Sequence, residues 1–299
     1  MIEIVHYHTC PLCGDNKLQI VLEAEDYTVS HQLFKIVQCY NCSLRITQDL
    51  PAAAHIGDYY QSDQYISHSD TDRGLINKLY HIVRKRTLAR KRKLVQKCTG
   101  LRKGNLLEIG SGTGAFLKTM KEEGWSVTGL EPDEGARNLA KRLYDLSLSD
   151  TASFPDLPPA HYNAITLWHV LEHVHELHYY VQQLKTLLTD EGRLFIAVPN
   201  YTSADAKIYQ QFWAAYDVPR HLYHFSPRSM EVLMSMHGLK VLGIKPMWYD
   251  SFYISLLSSK YKDGKTNWPA AFWNGMRSNL GAIFNREKCS SLIYVIGKK

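Results

Sequence analysis

One stretch, Leu106 to Leu117 with the sequence LLEIGSGTGAFL, restricts the fold more than any other part of the 299-residue chain. Leu106, Leu107 and Ile109 read as a buried strand, Gly110, Gly112 and Gly114 as a tight turn, and Ala115 to Met120 as the start of a helix. A strand that turns on glycine directly into a helix begins an open α/β sheet. It also lets a ligand lie against backbone that a Cβ would obstruct. Gly110, Gly112 and Ala115 satisfy the G-x-G-x-x-G/A form of a dinucleotide site as well, so the glycines alone leave two ligand classes open.

Charge separates the two. A pyrophosphate on a helix N-terminus needs N–H groups and no fixed anion beside it, yet Glu108 stands two residues before the first glycine. S-adenosylmethionine carries an ammonium and a sulfonium and no phosphate, so the carboxylate suits it better than a nicotinamide dinucleotide. Trp125 to Leu130 then alternates as a second strand and runs into Glu131-Pro132-Asp133, placing an acid 21 residues after Gly110. An acid at that distance accepts ribose hydroxyls, a role common to both ligand classes.

Four segments in order, LLEIGSGTG, GLEPD, YNAITLWHVLEHV and DEGRLFIAVPN, resemble the successive motifs of a class I S-adenosylmethionine-dependent methyltransferase. The resemblance runs from roughly residue 99 to the end. It implies a Rossmann-like α/β fold with a seven-stranded sheet in the order 3-2-1-4-5-7-6, the seventh strand antiparallel. Strands are expected near Leu146 to Leu148, Tyr162 to Trp168, Leu194 to Val198, Val241 to Lys245 and Leu292 to Ile296. Helices are expected over Asp133 to Leu143, from Glu172 and His173, and near Pro227 to Met236, with a helical insertion at about 250–287. Asn163 departs from the pattern, since relatives often carry an acid there. The cofactor set implied is Glu108, Gly110, Ser111, Gly112, Gly114, Phe116, Glu131, Pro132, Asp150, Thr151, Trp168 and His169, with Asp150 facing the adenine amino group.

Upstream, Cys10-Pro11-Leu12-Cys13 and Cys39-Tyr40-Asn41-Cys42 form two knuckles separated by 25 residues. Each C-x-x-C can bite one ion, and together Cys10, Cys13, Cys39 and Cys42 would close a structural tetrahedral Zn2+ shell. Redox pairs or incidental turns are the alternative. A module of this size holds a poor core alone, so the metal would supply much of its folding free energy. The expected organisation is a zinc-ribbon-like module over 1–50, a tyrosine-rich connector and basic helix over 51–98, and the methyltransferase domain over 99–299. The run Asp58-Tyr59-Tyr60-Gln61-Ser62-Asp63-Gln64-Tyr65-Ile66 resembles the N-terminal part of zinc-containing sugar methyltransferases and their polysaccharide-pathway relatives; it serves equally well as cover for a domain joint.

Residues 73–107 hold twelve Lys or Arg and no acid; without them the 35 basic residues of the chain fall to 23 against 29 acidic ones. Ile76, Leu79, Val83, Leu94 and Val95 suggest a long helix with one face on the protein. The basic face reads as a solvated surface, or as one that attracts phosphate-bearing substrates, RNA or anionic lipid. No run approaches the ~18 apolar residues of a membrane span, and the first ten residues lack the pattern of a signal peptide, so a cytoplasmic protein is expected.

Methyl transfer from a sulfonium needs alignment and, for many acceptors, a base. His221 is the expected base, with His224 shaping the pocket and His173 as the alternative; the neighbouring Arg220, Tyr223 and Phe225 suit an anionic or ring-bearing small molecule. RNA ranks lower as acceptor. Leu167-Trp168-His169-Val170 replaces the N/D-P-P-Y/F motif of nucleobase amino methylation, and no cysteine lies between Cys98 and Cys289 to serve cytosine C5 chemistry. A non-catalytic protein that kept the fold is the third class. Intact Glu108, Gly110, Gly112, Gly114 and Glu131 argue against it.

Overall fold

The computed structural model describes residues 3–60 and 75–299, with 75–82 described by their backbone alone. The part of the tyrosine-rich run from Gln61 to Ile66 lies outside the described residues.

Five short strands open the chain: β1 (Ile4–Val5), β2 (Leu18–Glu25), β3 (Leu33–Cys39), β4 (Arg45–Thr47) and β5 (Leu50–Pro51). A 25-residue helix, α1 (Leu75–Thr99), leads to the central sheet. There follow β6 (Asn105–Ile109), α2 (Ala115–Glu122), β7 (Ser126–Leu130), α3 (Glu134–Tyr144), β8 (Tyr162–Trp168), α4 (Leu177–Leu187), β9 (Leu188–Pro199) and α5 (Ala204–Tyr209). The chain closes with β10 (Tyr223–His224), α6 (Pro227–Met236), β11 (Leu239–Pro246), α7 (Asp250–Asp263), α8 (Trp268–Phe284) and β12 (Ser291–Lys298).

The central sheet has six strands in the order β11-β12-β9-β8-β6-β7. Strands β7, β6, β8 and β9 run parallel, and β12 enters antiparallel between β9 and β11. Apolar residues alternate between its two faces. Leu107, Ile109, Ile165, Leu167, Ile196 and Tyr294 join one core, while Leu106, Ala164, Phe195, Ala197 and Val295 join another under α1 and α2.

The seventh strand expected near Leu146 to Leu148 is reduced to one parallel bridge, Ser149 to Leu130. The pairing goes no further, because the Asp150 carboxylate accepts the Ala152 N–H at 2.9 Å and turns the chain into a 3-10 segment. Glu172 and His173 likewise lie in a 3-10 turn, Leu171–His173, and the helix proper starts at Leu177. Asp133 caps α3 by accepting the Ala136 N–H at 2.6 Å and so precedes the helix.

The N-terminal strands do not close on themselves. β4 pairs β3 on one side and β10 on the other, so the four-stranded sheet β10-β4-β3-β2 takes its edge from residues far along the chain. Cys10, Leu12, Cys39 and Cys42 share a core with Leu222, Tyr223 and Phe225. This joint holds the segment before β10 against the carboxyl edge of the central sheet, the edge at which open α/β sheets take ligands.

Candidate active site

The turn after β6 is built around positive backbone angles: φ is 69° at Gly110, 51° at Gly112 and 78° at Gly114. At Gly110 a Cβ would meet Val170 Cγ2 at 2.5 Å, whereas at Gly112 it would project into open space. The first glycine therefore permits packing, and the second leaves a bare backbone concavity. The Gly110 and Ser111 N–H groups bond Leu130 O at 2.9 and 3.0 Å, fixing the turn to the end of β7. There Glu131 accepts the Gly112 N–H at 2.7 Å and the Asp133 N–H at 3.1 Å, with burial raising its carboxyl above the ordinary value.

Glu108 is buried beneath the turn. Burial raises its carboxyl to about 8, against the opposing pull of Lys91, and Glu131 adds to the rise. Its Oε2 has no close hydrogen-bond donor among the described residues, though the Leu117 backbone and the Trp168 indole act weakly against the rise. Lys91 reaches the same spot from α1, its ammonium 4.2 Å from the centre of the Trp168 ring, and Phe116 meets that ring edge-on at 5.6 Å. Arg84 donates to Thr113 Oγ1 at 3.5 Å, Arg90 stacks on Tyr249, and Arg92 pairs with Glu123. The basic helix thus brings Arg84 and Lys91 to the glycine turn, while Arg92 makes a surface pair with Glu123. Asp150 accepts Arg137 Nη1 at 2.9 Å, Arg137 also donates to Pro132 O, and Thr151 opens the segment that Asp150 caps.

Beyond β8 the histidines separate into distinct settings. His169, with φ 59°, lies between two carboxylates: Nδ1 is 3.3 Å from Glu172 Oε1 and Nε2 is 3.0 Å from Asp250 Oδ2. Burial alone would lower this imidazole, but the bonds and charges of Asp250 and Glu172 carry it up to about 10. His173 and His221 meet at a ring-centre distance of 4.6 Å. The Nδ1–H of His173 donates to Arg220 O at 2.9 Å and that of His221 to Ala215 O at 2.9 Å. A carbonyl can only accept, so each neutral ring keeps its lone pair on Nε2. Burial, then the neighbouring His221, lowers His173 to about 4. His224 is not brought to this pair: it is buried in β10, with Nε2 3.1 Å from Thr47 Oγ1 and its ring against Tyr216.

Arg220, expected beside an anionic acceptor, is turned into the protein. Its guanidinium bonds Asp217, Asp26 Oδ1 at 3.0 Å, Thr28 Oγ1 at 2.9 Å and the Tyr59 carbonyl at 2.9 Å. Tyr60 of the connector places its hydroxyl 2.9 Å from His173 Nδ1. Lys91, Asp250 and Asp217 escaped the sequence reading. Only Lys91 carried a signal, as one cation in a run of many.

The four thiols lie together, with Cys10 and Cys42 Sγ 3.5 Å apart, Cys13 and Cys39 Sγ 3.5 Å apart, and all four within 4.8 Å. A tetrahedral shell with Zn–S bonds of about 2.3 Å has sulfur separations of about 3.8 Å, so the set matches a Zn2+ cage. The Cys42 S–H stabilises a Cys10 thiolate, lowering that thiol to about 5, and the same contact drives Cys42 well above its ordinary value.

A protein-family profile described as a methyltransferase domain matches residues 80–243. The C-methyltransferase NovU of Streptomyces niveus is 26% identical over 257 residues, 81% of this chain and 54% of that one. An uncharacterized methyltransferase of Alkaliphilus oremlandii is 30% identical over 110 residues, 36% of this chain and 50% of that one. The chain thus spans about half the length of these curated relatives. Among solved structures, magnesium protoporphyrin IX methyltransferase from Synechocystis PCC 6803, with bound SAH, superposes with a TM-score of 0.54 at 12% identity, covering 83% of this chain and all of that one.

Proposed function

Because the chain belongs to the family that carries this methyltransferase domain, we propose that it transfers a methyl group from S-adenosylmethionine to an oxygen or carbon atom of a small molecule. The observation that carries this reading is the bare concavity at Gly112 with Glu131 bonded across it. Each Glu131 oxygen accepts one backbone N–H and has capacity for a ribose hydroxyl besides. The unpartnered Glu108 oxygen, below the turn, suits the cationic end of the cofactor. Glu108, Gly110, Ser111, Gly112, Gly114, Glu131 and Pro132 would hold it, with Phe116, Trp168 and His169 along its flank and Asp150 and Thr151 toward its base. When bound, S-adenosylmethionine supplies a methyl carbon whose bond to sulfur breaks with the pair remaining on sulfur.

The acceptor lies, in this reading, against His173 and His221. His221 Nε2 takes the proton that the acceptor atom loses as its electron pair forms the new bond. His173 is the alternative base, and His224 supports the wall from β10. The Streptomyces relative is a C-methyltransferase, which favours carbon, and a sugar or polysaccharide precursor is the acceptor class we would test first. RNA is disfavoured further by the inward use of Arg84 and Lys91. The thiol cage is assigned to structural zinc. Calorimetry with S-adenosylmethionine and S-adenosylhomocysteine tests the reading: both should bind one per chain. A folded, zinc-loaded protein that binds neither would overturn it.

A further inference from the structure

The group formed by Glu172, His173 and His221 stands apart from the thiol cage and offers one oxygen and two nitrogens within 4.8 Å of one another. From this group we infer a second metal site, for a divalent first-row cation, at the carboxyl edge of the central sheet.

The donors are prepared for it. Glu172 is fully buried, its Oε1 is taken by His169, and its Oε2 has no hydrogen-bond partner among the described residues. A buried carboxylate oxygen without a donor is costly unless a cation meets it. Both imidazoles donate Nδ1–H to backbone carbonyls, the arrangement that fixes the tautomer and aims a metal-binding Nε2. His169 bonds Glu172 from behind and cannot itself join, because both of its ring nitrogens already face carboxylates. Asp217 Oδ2 lies 3.9 Å from His221 Nε2 and adds negative charge at the edge of the group.

Two imidazoles and one carboxylate suit Zn2+, Fe2+, Co2+ or Mn2+ and leave coordination positions open, unlike four thiolates. Open positions take oxygen. The ion would therefore hold and polarise an acceptor that presents two oxygens to it, such as a hydroxy-ketone or a diol. This role rests on the methyltransferase reading; the presence of the ion does not. One nitrogen cannot hold both an ion and a proton, so an ion here makes His221 a ligand in place of a base.

The test titrates Mn2+ alone into the full-length zinc-loaded protein and follows free Mn2+ by electron paramagnetic resonance. Mn2+ favours nitrogen and oxygen over thiolates, so the cage stays out of the measurement. One Mn2+ per chain is expected. Glu172→Gln, His173→Asn and His221→Asn should each weaken it by at least about 100-fold, more than the loss of an outer-shell partner, while Asp190→Asn on the exposed surface changes nothing. S-adenosylhomocysteine affinity reports folding of each variant, and any one of the three that folds suffices. No binding at millimolar Mn2+ or Co2+, or binding unchanged in the folded variants, overturns the site and leaves His221 as base. Mn2+ bound by a protein that binds no S-adenosylhomocysteine keeps the site and removes the methyltransferase reading instead.

Discussion

Among the described residues two groups gather potential metal-binding side chains within 4.8 Å, and they are built in opposite ways. The thiol cage draws both halves from C-x-x-C knuckles, each a tight turn that presents two sulfurs, and four thiolates leave an ion no vacancy. The Glu172, His173 and His221 group takes one half from the turn after β8 and the other from a loop 48 residues later, where Asp217, at φ 39°, ends a 3-10 turn and Arg220 braces the backbone. It has three donors and open positions. A closed shell contributes to folding and an open one to chemistry, so the two should fail differently.

The largest failure should come from the cage. Removing the proposed zinc by chelation, or by Cys39→Ser, should forfeit apparent metal-binding energy of about 10 kcal/mol or more that a small module cannot replace. Because β4 pairs β10, the damage should cross into Tyr223 and His224. Metal analysis should show less than one zinc per chain, and hydrogen exchange should show β10 exposed along with β3 and β4. Full zinc retention in Cys39→Ser would break the assignment.

The open group should fail in turnover. His221→Asn should lower it by about 10²–10⁴-fold whether the ring serves as base or ligand, while cofactor affinity stays unchanged and stability drops by only about 1 kcal/mol for one hydrogen bond. Steady-state rates at saturating donor, set beside a thermal melt, check both halves. Normal turnover in a folded variant would return His221 to a packing role.

This contrast also explains what was legible in the sequence. The cage announces itself because its ligands are neighbours in the chain, and the glycine turn does so because strand, glycines and the acid after β7 keep a fixed spacing. Strands β6 and β8 are legible for the same reason, since Leu106 to Ile109 and Tyr162 to Trp168 are short apolar runs with clear ends, whereas Leu146 to Leu148 forms no strand. In the Glu172 group only Glu172 and His173 are neighbours in the chain, and His221 lies 48 residues beyond. Its two halves meet through the Leu222 N–H on Glu172 O and His173 Nδ1 on Arg220 O, while Arg220 itself is held by Asp26 and Asp217, 191 residues apart. His224 shows the converse. Three residues from His221 in sequence, it points from a strand toward Thr47.

Arg220 links the two regions, and breaking it should have an intermediate effect. It is almost fully buried and pairs Asp26 of the N-terminal sheet with Asp217 beside the histidines. Arg220→Met leaves two carboxylates without their cation, a loss of about 3–5 kcal/mol in denaturant unfolding. Burial would raise Asp26, but the Ser30 amide, Arg220 and the Ser30 hydroxyl hold it below its ordinary 3.8. A depressed acid contributes stability above its unfolded value and loses it as pH falls. Wild-type stability should therefore decline from about pH 4 downward, and the decline should shrink in Arg220→Met. An identical acid limb in both proteins would show that the guanidinium does not set Asp26.

The smallest effect belongs to the cofactor side, which shares no ligand with either metal group. Glu131→Ala removes an acceptor proposed for ribose hydroxyls and should weaken S-adenosylmethionine binding by about 1.5–3 kcal/mol, the range for hydrogen bonds to a charged group. The loss includes a local part, because the Gly112 and Asp133 N–H groups also lose their partner. Glu131→Gln separates the two. Its amide oxygen can still accept one backbone N–H, so a glutamine variant with a normal melting temperature and weakened binding isolates the ribose contribution. Since burial raises the Glu131 carboxyl, the acid should protonate earlier than an exposed one as pH falls, and wild-type affinity should weaken along that limb. The glutamine variant should lack this dependence. Calorimetry across pH 4.5 to 7 makes the comparison, and equal affinity of wild type and Glu131→Gln throughout would remove Glu131 from the ribose site while leaving both metal groups untouched.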